Sequence, residues 1–137
     1  MENGSGSMKE SGDYALPNLL EETFAAGNVI IKEGEMGVMA YKIVSGKVEV
    51  KKLCDDHEVI LATLGEGAIF GEMSFIDDRP HSATVKALTD VECICITKES
   101  FEYELAESSP IIREVVKAFS QRLRGADDRI CSNIENE

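Results

Sequence analysis

Between Asn28 and Thr97 the chain never runs far without a glycine or a polar turn. The intervening pieces are short and rich in β-branched residues: "NVIIKEGEMG", "MAYKIVSG", "KVEVKKL", "HEVILATLGEG", "SATVKAL" and "VECICIT". Each suits a strand of about five residues and is too short for an ordinary helix. Turn signals roughly every ten residues predict an all-β sandwich or barrel. In "AYKIVSGKVEV", Tyr41, Ile43, Val48 and Val50 alternate around Ser45-Gly46, the pattern of a β-hairpin. Gly34, Gly37, Gly65 and Gly67 are candidates for positive φ at strand corners.

The flanks read differently. "YALPNLLEETFAAG" is weakly helical, broken by Pro17 and closed by Gly27. "TKESFEYELAESS" predicts a short helix capped by Thr97, and Ser109-Pro110 has the form of a second N-cap with proline at the first helical position. Ile112, Val115, Val116, Phe119 and Leu123 then recur at i, i+3, i+4, i+7 and i+11, an apolar stripe. Packing on the barrel is the favoured role of that stripe; a dimer contact or a docking face for an effector domain is the alternative. Gly125 is expected to end or weaken the helix. The organisation expected is a flexible tail or tag remnant over residues 1–13, one domain over 14–125, and a frayed tail over 126–137.

Charge and cysteine content narrow the function classes. A net charge of −12 opposes broad electrostatic binding to DNA or to an anionic membrane, but not one small anion in a locally suitable pocket. No apolar run reaches the roughly 18 residues of a membrane span, and "ENGSGSMKESGD" after Met1 lacks the apolar region of a signal peptide. Cys54, Cys93, Cys95 and Cys131 lack the density of a disulfide scaffold, so a reducing cytoplasm is expected. Cys93 and Cys95 share one strand face and read as core. With His57 and His81 as its only histidines, the chain offers no metal-ligand spacing, and no nucleophile–base pair stands out. A binding role without a metal or cofactor is expected, rather than catalysis.

Chemistry concentrates in "FGEMSFIDDRPHSATVKAL", residues 70 to 88. Gly71 permits a tight turn and a close ligand approach. A helical turn at "EMSF" would aim backbone N–H groups outward, as anion sites do. Glu72 would repel a phosphate and suits a hydroxyl donor such as a sugar. A carboxylate for a ribose, with amides and a cation for a phosphate, describes a nucleotide site.

At these residues the chain resembles the cyclic nucleotide-binding domain family. Phe70-Gly71-Glu72-Met73-Ser74 and Ser82-Ala83-Thr84-Val85 fit the two halves of that family's phosphate-binding cassette, and Gly34, Gly37, Tyr41, Ile43, Gly46 and Val48 fit its upstream glycine-turn pattern. The resemblance covers about residues 16 to 124. It implies an antiparallel β-barrel or jelly roll, a double-stranded β-helix, with a short N-terminal helix and two C-terminal helices. It implies cAMP or cGMP as ligand, held by Phe70, Gly71, Glu72, Met73, Ser74, Ser82 and Ala83. Glu72 would accept from the ribose 2′-hydroxyl and the Ser74 amide would donate to the phosphate. Ser82 would add a hydroxyl or amide contact, and the trailing helices would form hinge and lid. No helix-turn-helix segment follows the stripe, so this chain is not expected to bind DNA in that way.

One position departs from the pattern. The family's phosphate-binding arginine aligns with His81. Arg79 lies two residues earlier, and in an extended chain its side chain would share a side with His81, roughly 6–7 Å away. Either residue is a candidate for the missing contact. An imidazole with an ordinary pKa of about 6.5 is mostly neutral at pH 7 and lacks the guanidinium fork. Two roles therefore stand side by side: a cyclic nucleotide sensor, and a degenerate copy of the fold serving a structural or protein-interaction purpose.

Overall fold

The computed structural model describes residues 20–135. Among the described residues, eight strands run in chain order: β1 Leu20–Phe24, β2 Val29–Ile31, β3 Met39–Ser45, β4 Val48–Cys54, β5 His57–Leu64, β6 Ile69–Phe70, β7 Thr84–Ala87 and β8 Val91–Thr97. A five-residue helix, α1 (Met73–Asp77), interrupts them, and α2 (Lys98–Glu107) and α3 (Pro110–Glu135) follow. The strands form two antiparallel four-stranded sheets, ordered β1-β8-β3-β6 and β2-β7-β4-β5. Ile43, Val91, Cys93 and Cys95 from the first sheet and Ile31, Val48, Val85 and Ala87 from the second share one core cluster, so the sheets enclose it in jelly-roll fashion.

Leu20–Phe24, expected to be helical, is strand β1, paired from Leu20↔Cys95 to Phe24↔Val91 along β8. The edge of β8 supplies hydrogen-bond partners, and Phe24 meets Tyr41 edge-on with centroids 5.6 Å apart. Tertiary pairing outweighs the weak helical preference of "LLEETF". Pro17 and the rest of that expected helix lie outside the described residues.

The hairpin expected at Ser45-Gly46 is absent. β3 pairs with β8 and β6, whereas β4 pairs with β5 and β7, so this turn carries the chain from one sheet to the other. Alternation had indicated correctly that Tyr41, Ile43 and Val48 face inward; it carries no information about which strands pair. The β4–β5 hairpin turns instead at Asp55-Asp56, with Cys54 opposite His57 and Asp55 at φ 56°. Gly34 and Gly67 take positive φ; Gly37 and Gly65 do not.

The helix starts match their caps. Thr97 Oγ1 accepts from the Ser100 amide at 3.1 Å, and Ser109 Oγ accepts from the Ile112 amide at 3.4 Å. Two C-terminal expectations fail. Helix α3 runs through Gly125 to Glu135. Its apolar stripe also faces away from the barrel: Ile112, Val115, Phe119 and Leu123 are exposed, whereas Ser120 and Arg124 are buried. The face turned inward carries Ser120, Arg124 and Cys131, each bonded to the body of the domain. Though four cysteines lack the density of a disulfide scaffold, Cys54 of β4 and Cys131 of α3 form a disulfide across a separation of 77 residues. Cys93 and Cys95 are free and buried, as expected. No helix among the described residues is long and apolar enough to cross a membrane.

Candidate functional site

The chain leaving β6 turns at Gly71, with φ at +85°. A Cβ there would lie 2.6 Å from Ile31 Cδ1 and 3.2 Å from the Met39 carbonyl oxygen. Left-handed backbone and close approach together reserve the position for glycine. Glu72 follows as the N-cap of α1, its carbonyl accepting from the Phe75 amide at 3.0 Å and the Ile76 amide at 3.3 Å. Its side chain makes no cap bond. Burial raises its pKa above the ordinary carboxylate value, opposed in part by a backbone hydrogen bond. A desolvated carboxylate of this kind is a ready acceptor for a hydroxyl donor. Phe75 holds α1 against α2, its ring centroid 5.8 Å from that of Phe101.

Beside this turn lies a cavity of about 230 Å³. One wall is Phe70, Gly71, Glu72, Met73 and Ser74; another is His81, Ser82 and Ala83. Ile31, Val50, Leu61, Ala62, Leu64, Ile69 and Val85 supply apolar surface, and Asp127 of α3 closes one side. The fold thus gathers every residue proposed from sequence except Arg79. Arg79 is exposed and does not line the cavity; its amide donates to Asp77 Oδ1 at 3.2 Å and its carbonyl accepts from Arg124 at 3.4 Å. Among the described residues, no lysine or arginine lines the cavity. Its ionisable lining is Glu72, Asp127 and His81.

His81 is fixed on three sides. Its amide donates to the Glu35 carbonyl and its carbonyl accepts from the Gly34 amide, both at 2.9 Å. Its Nδ1 lies 3.2 Å from Ser74 Oγ. A Cβ on Gly37 would lie 2.8 Å from its Cε1 and 2.7 Å from Ser74 Cβ, so Gly37 is needed for close packing rather than for a left-handed φ. Burial lowers the His81 pKa, the Arg124 charge lowers it further, and Glu35 opposes both. The ring is therefore neutral at pH 7.

Helix α3 is fastened to this region by its polar face. Arg124 Nε donates to Asp77 Oδ2 at 2.6 Å and Nη2 to Asp77 Oδ1 at 2.9 Å, a two-pronged pair with little exposure. Its Nη1 donates to the Pro80 carbonyl at 2.8 Å. Ser120 Oγ donates to Asp77 Oδ2 at 3.2 Å, and Ser82 Oγ donates to Asp127 Oδ2 at 3.1 Å. Burial alone would raise the Asp77 pKa, but the hydrogen bonds and charge of Arg124 outweigh it and hold the carboxyl below its ordinary value. Sequence reading missed Asp77, Ser120, Arg124 and Asp127. The signal was the spacing of Ser120, Arg124, Asp127 and Cys131 at i, i+4, i+7 and i+11, a second stripe about a quarter-turn around the helix from the apolar one.

A two-sheet jelly roll with a small cavity beside a glycine turn, closed by a C-terminal helix, defines a small-molecule-binding regulatory module. The family model for the cyclic nucleotide-binding domain matches residues 21–108, and the chain belongs to that family. The cyclic AMP receptor protein of Thermus thermophilus is 30% identical over 89% of this chain and 57% of its own length. The cAMP-bound structure of the EAL enzyme Bd1971 aligns with a TM-score of 0.75 and 32% identity, covering 85% of this chain and 30% of that one. The regulatory subunit of a cAMP-independent protein kinase A from Trypanosoma brucei aligns with a TM-score of 0.64 and 34% identity, over 75% of this chain and 37% of that one. The chain spans 50% to 57% of the length of three curated relatives and only 20% to 28% of four others.

Proposed function

We propose that this chain is a cyclic nucleotide-responsive regulatory module in which ligand binding changes how α3 sits on the cavity. One observation carries the reading: Gly71, Glu72, Ser74 and Ser82 line the same cavity as Asp127 of α3. Glu72 accepts from the ribose 2′-hydroxyl, and the Ser74 amide and Ser82 donate to the cyclic phosphate. Arg79 sits at the cavity's margin in this reading and guides approach of the phosphate rather than holding it. The cavity is smaller than the roughly 300–1,000 Å³ usual for ligand clefts, so ligand entry displaces part of α3. The exposed stripe of Ile112, Val115, Phe119 and Leu123 is the output face. It is covered by a second copy of the chain or by an effector segment of a longer protein.

Calorimetry with cAMP and cGMP tests this. Saturable binding of either nucleotide, lost on Glu72→Ala, supports the sensor. Sedimentation of wild type beside Phe119→Asp, with and without nucleotide, tests the output face; identical behaviour throughout removes it.

The absence of a cationic side chain in the cavity, together with the neutrality of His81, favours a second reading: a fold that has kept its architecture and lost nucleotide affinity. No heat with either nucleotide at millimolar concentration, and none after His81→Arg, would select it.

A further inference from the structure

The charges inside the cavity are of the wrong sign for a phosphate. Glu72 and Asp127 line it, His81 is neutral, and among the described residues no lysine or arginine lines it; Lys52 Nζ, behind the wall, donates to the Ser82 carbonyl at 2.9 Å and pairs with Glu33 at 3.5 Å. Glu72 has an assigned partner in the sugar hydroxyl. Asp127 has none in the sensor reading. Its Oδ2 accepts from Ser82 Oγ at 3.1 Å. A hydroxyl has one proton to donate. While Ser82 gives it to Asp127, it cannot give it to a phosphate.

A carboxylate oxygen and a phosphodiester oxygen offer a hydroxyl the same thing, a negatively charged acceptor. We infer that Asp127 is an internal anion that stands in for the ligand's phosphate at Ser82, and so determines both the affinity of the site and its discrimination between charged and uncharged ligands. The inference rests on the sensor reading. Two like charges cannot share the Ser82 hydroxyl in a cavity of about 230 Å³, so an entering phosphate must displace Asp127. The helix cannot simply slide aside. Arg124, three residues earlier, is held by Asp77 and the Pro80 carbonyl, and Cys131, four residues later, is bonded to Cys54. Displacing Asp127 therefore loosens the stretch of α3 between those anchors. The energy that the ligand spends on this exchange is the coupling between cavity and helix.

Asp127→Asn tests the inference. Asparagine keeps the size of the side chain and an acceptor for Ser82, but removes the charge. The probes are cAMP, which carries the phosphate, and adenosine, which does not. The cAMP Kd of the variant should fall by about tenfold, the worth of one charged hydrogen bond. The adenosine affinity should change by less than about twofold, since no charge is being exchanged. Asp127→Ser, smaller and equally uncharged, should shift cAMP in the same direction and stands in should the asparagine variant fold poorly. Hydrogen exchange gives an independent readout: cAMP should speed exchange of the amides at 126–130 in wild type, and the variant should show that faster exchange without ligand.

The outcomes separate the inference from the reading beneath it. Wild-type cAMP binding left unchanged by Asp127→Asn overturns the role of Asp127 and leaves the sensor standing. Equal gains for cAMP and adenosine show that bulk rather than charge is at work, and overturn it as well. If neither wild type nor the variant binds cAMP, both the sensor reading and the inference fall.

Discussion

Replacing Arg124 with methionine keeps an unbranched apolar stem in place and removes the guanidinium that joins α3 to the loop after α1. The Arg124 and Asp77 side chains are 7% and 13% exposed, so Asp77 would be left charged with little water to replace its partner. Breaking a buried pair from one side costs about 3–5 kcal/mol. The Ser120 hydroxyl and Arg79 amide still donate to Asp77, which places the expected loss near the lower end, about 3 kcal/mol. For a chain of this length that corresponds to a fall in Tm of about 10 °C. Urea unfolding at pH 7 of wild type, Arg124→Met, Asp77→Asn and the double variant should give a coupling energy of about 2 kcal/mol. The pH dependence supplies a check on cause. Asp77 is held below its ordinary value in the fold, so its contribution is present above the unfolded pKa of about 3.9 and is lost as pH falls through the folded value. The gap between wild type and Arg124→Met should therefore close in acid. A loss under about 1 kcal/mol, or a gap that persists once Asp77 is protonated in both chains, would refute the role given to this pair.

Three further outcomes follow from other parts of the structure. Gly71→Ala should cost about 1–3 kcal/mol, read from urea midpoints, because alanine must take φ +85° and meet Ile31 Cδ1 at 2.6 Å. Reducing the Cys54–Cys131 disulfide opens a loop of 77 residues; on loop-entropy grounds the reduced chain should lose about 4 kcal/mol, and Cys54→Ser should melt like reduced wild type and no longer respond to reductant. For His81 the folded value lies below the unfolded one, first through burial and then through Arg124. The unfolded chain takes the proton first as pH drops, so stability should fall below about pH 6.5, while the affinity for an anionic nucleotide should rise over the same range. His81→Asn, titrated by calorimetry between pH 7.5 and 5.5, should flatten the binding trend; an unaltered slope would place the proton elsewhere.

The sheets and the cassette were open to sequence reading because both depend on local chemistry. Runs such as "KVEVKKL" alternate, and the turn at Gly71 demands the one residue without a Cβ. The hairpin at Gly46 was misread because period-2 alternation reports which side chains share a face and is silent on strand partners. β1 was hidden because its pairing with β8 joins residues about seventy apart, as in Leu20↔Cys95. The orientation of α3 was misjudged for another reason. Apolar-inward logic gives no weight to a desolvated Arg124–Asp77 pair 47 residues apart, a Ser120 hydroxyl and a covalent bond to Cys54, all on a neighbouring face. His81 was readable as a candidate contact, but its neutrality depends on the depth of burial and the nearness of Arg124, which only the folded chain supplies.

Gly125 falls between Arg124, which is locked to Asp77, and Asp127, which reaches the cavity. A glycine inside a helix costs about 1 kcal/mol relative to alanine, chiefly in backbone freedom. Helical order is therefore cheapest to give up at the joint between the two anchors. The helix is tied to the body of the domain on both sides of this point, by Arg124 to Asp77 and by Cys131 to Cys54, so the stretch between those ties is where it can yield. Alanine at position 125 would stiffen that stretch, and any displacement of Asp127 would then have to strain the ties at Arg124 and Cys131 instead.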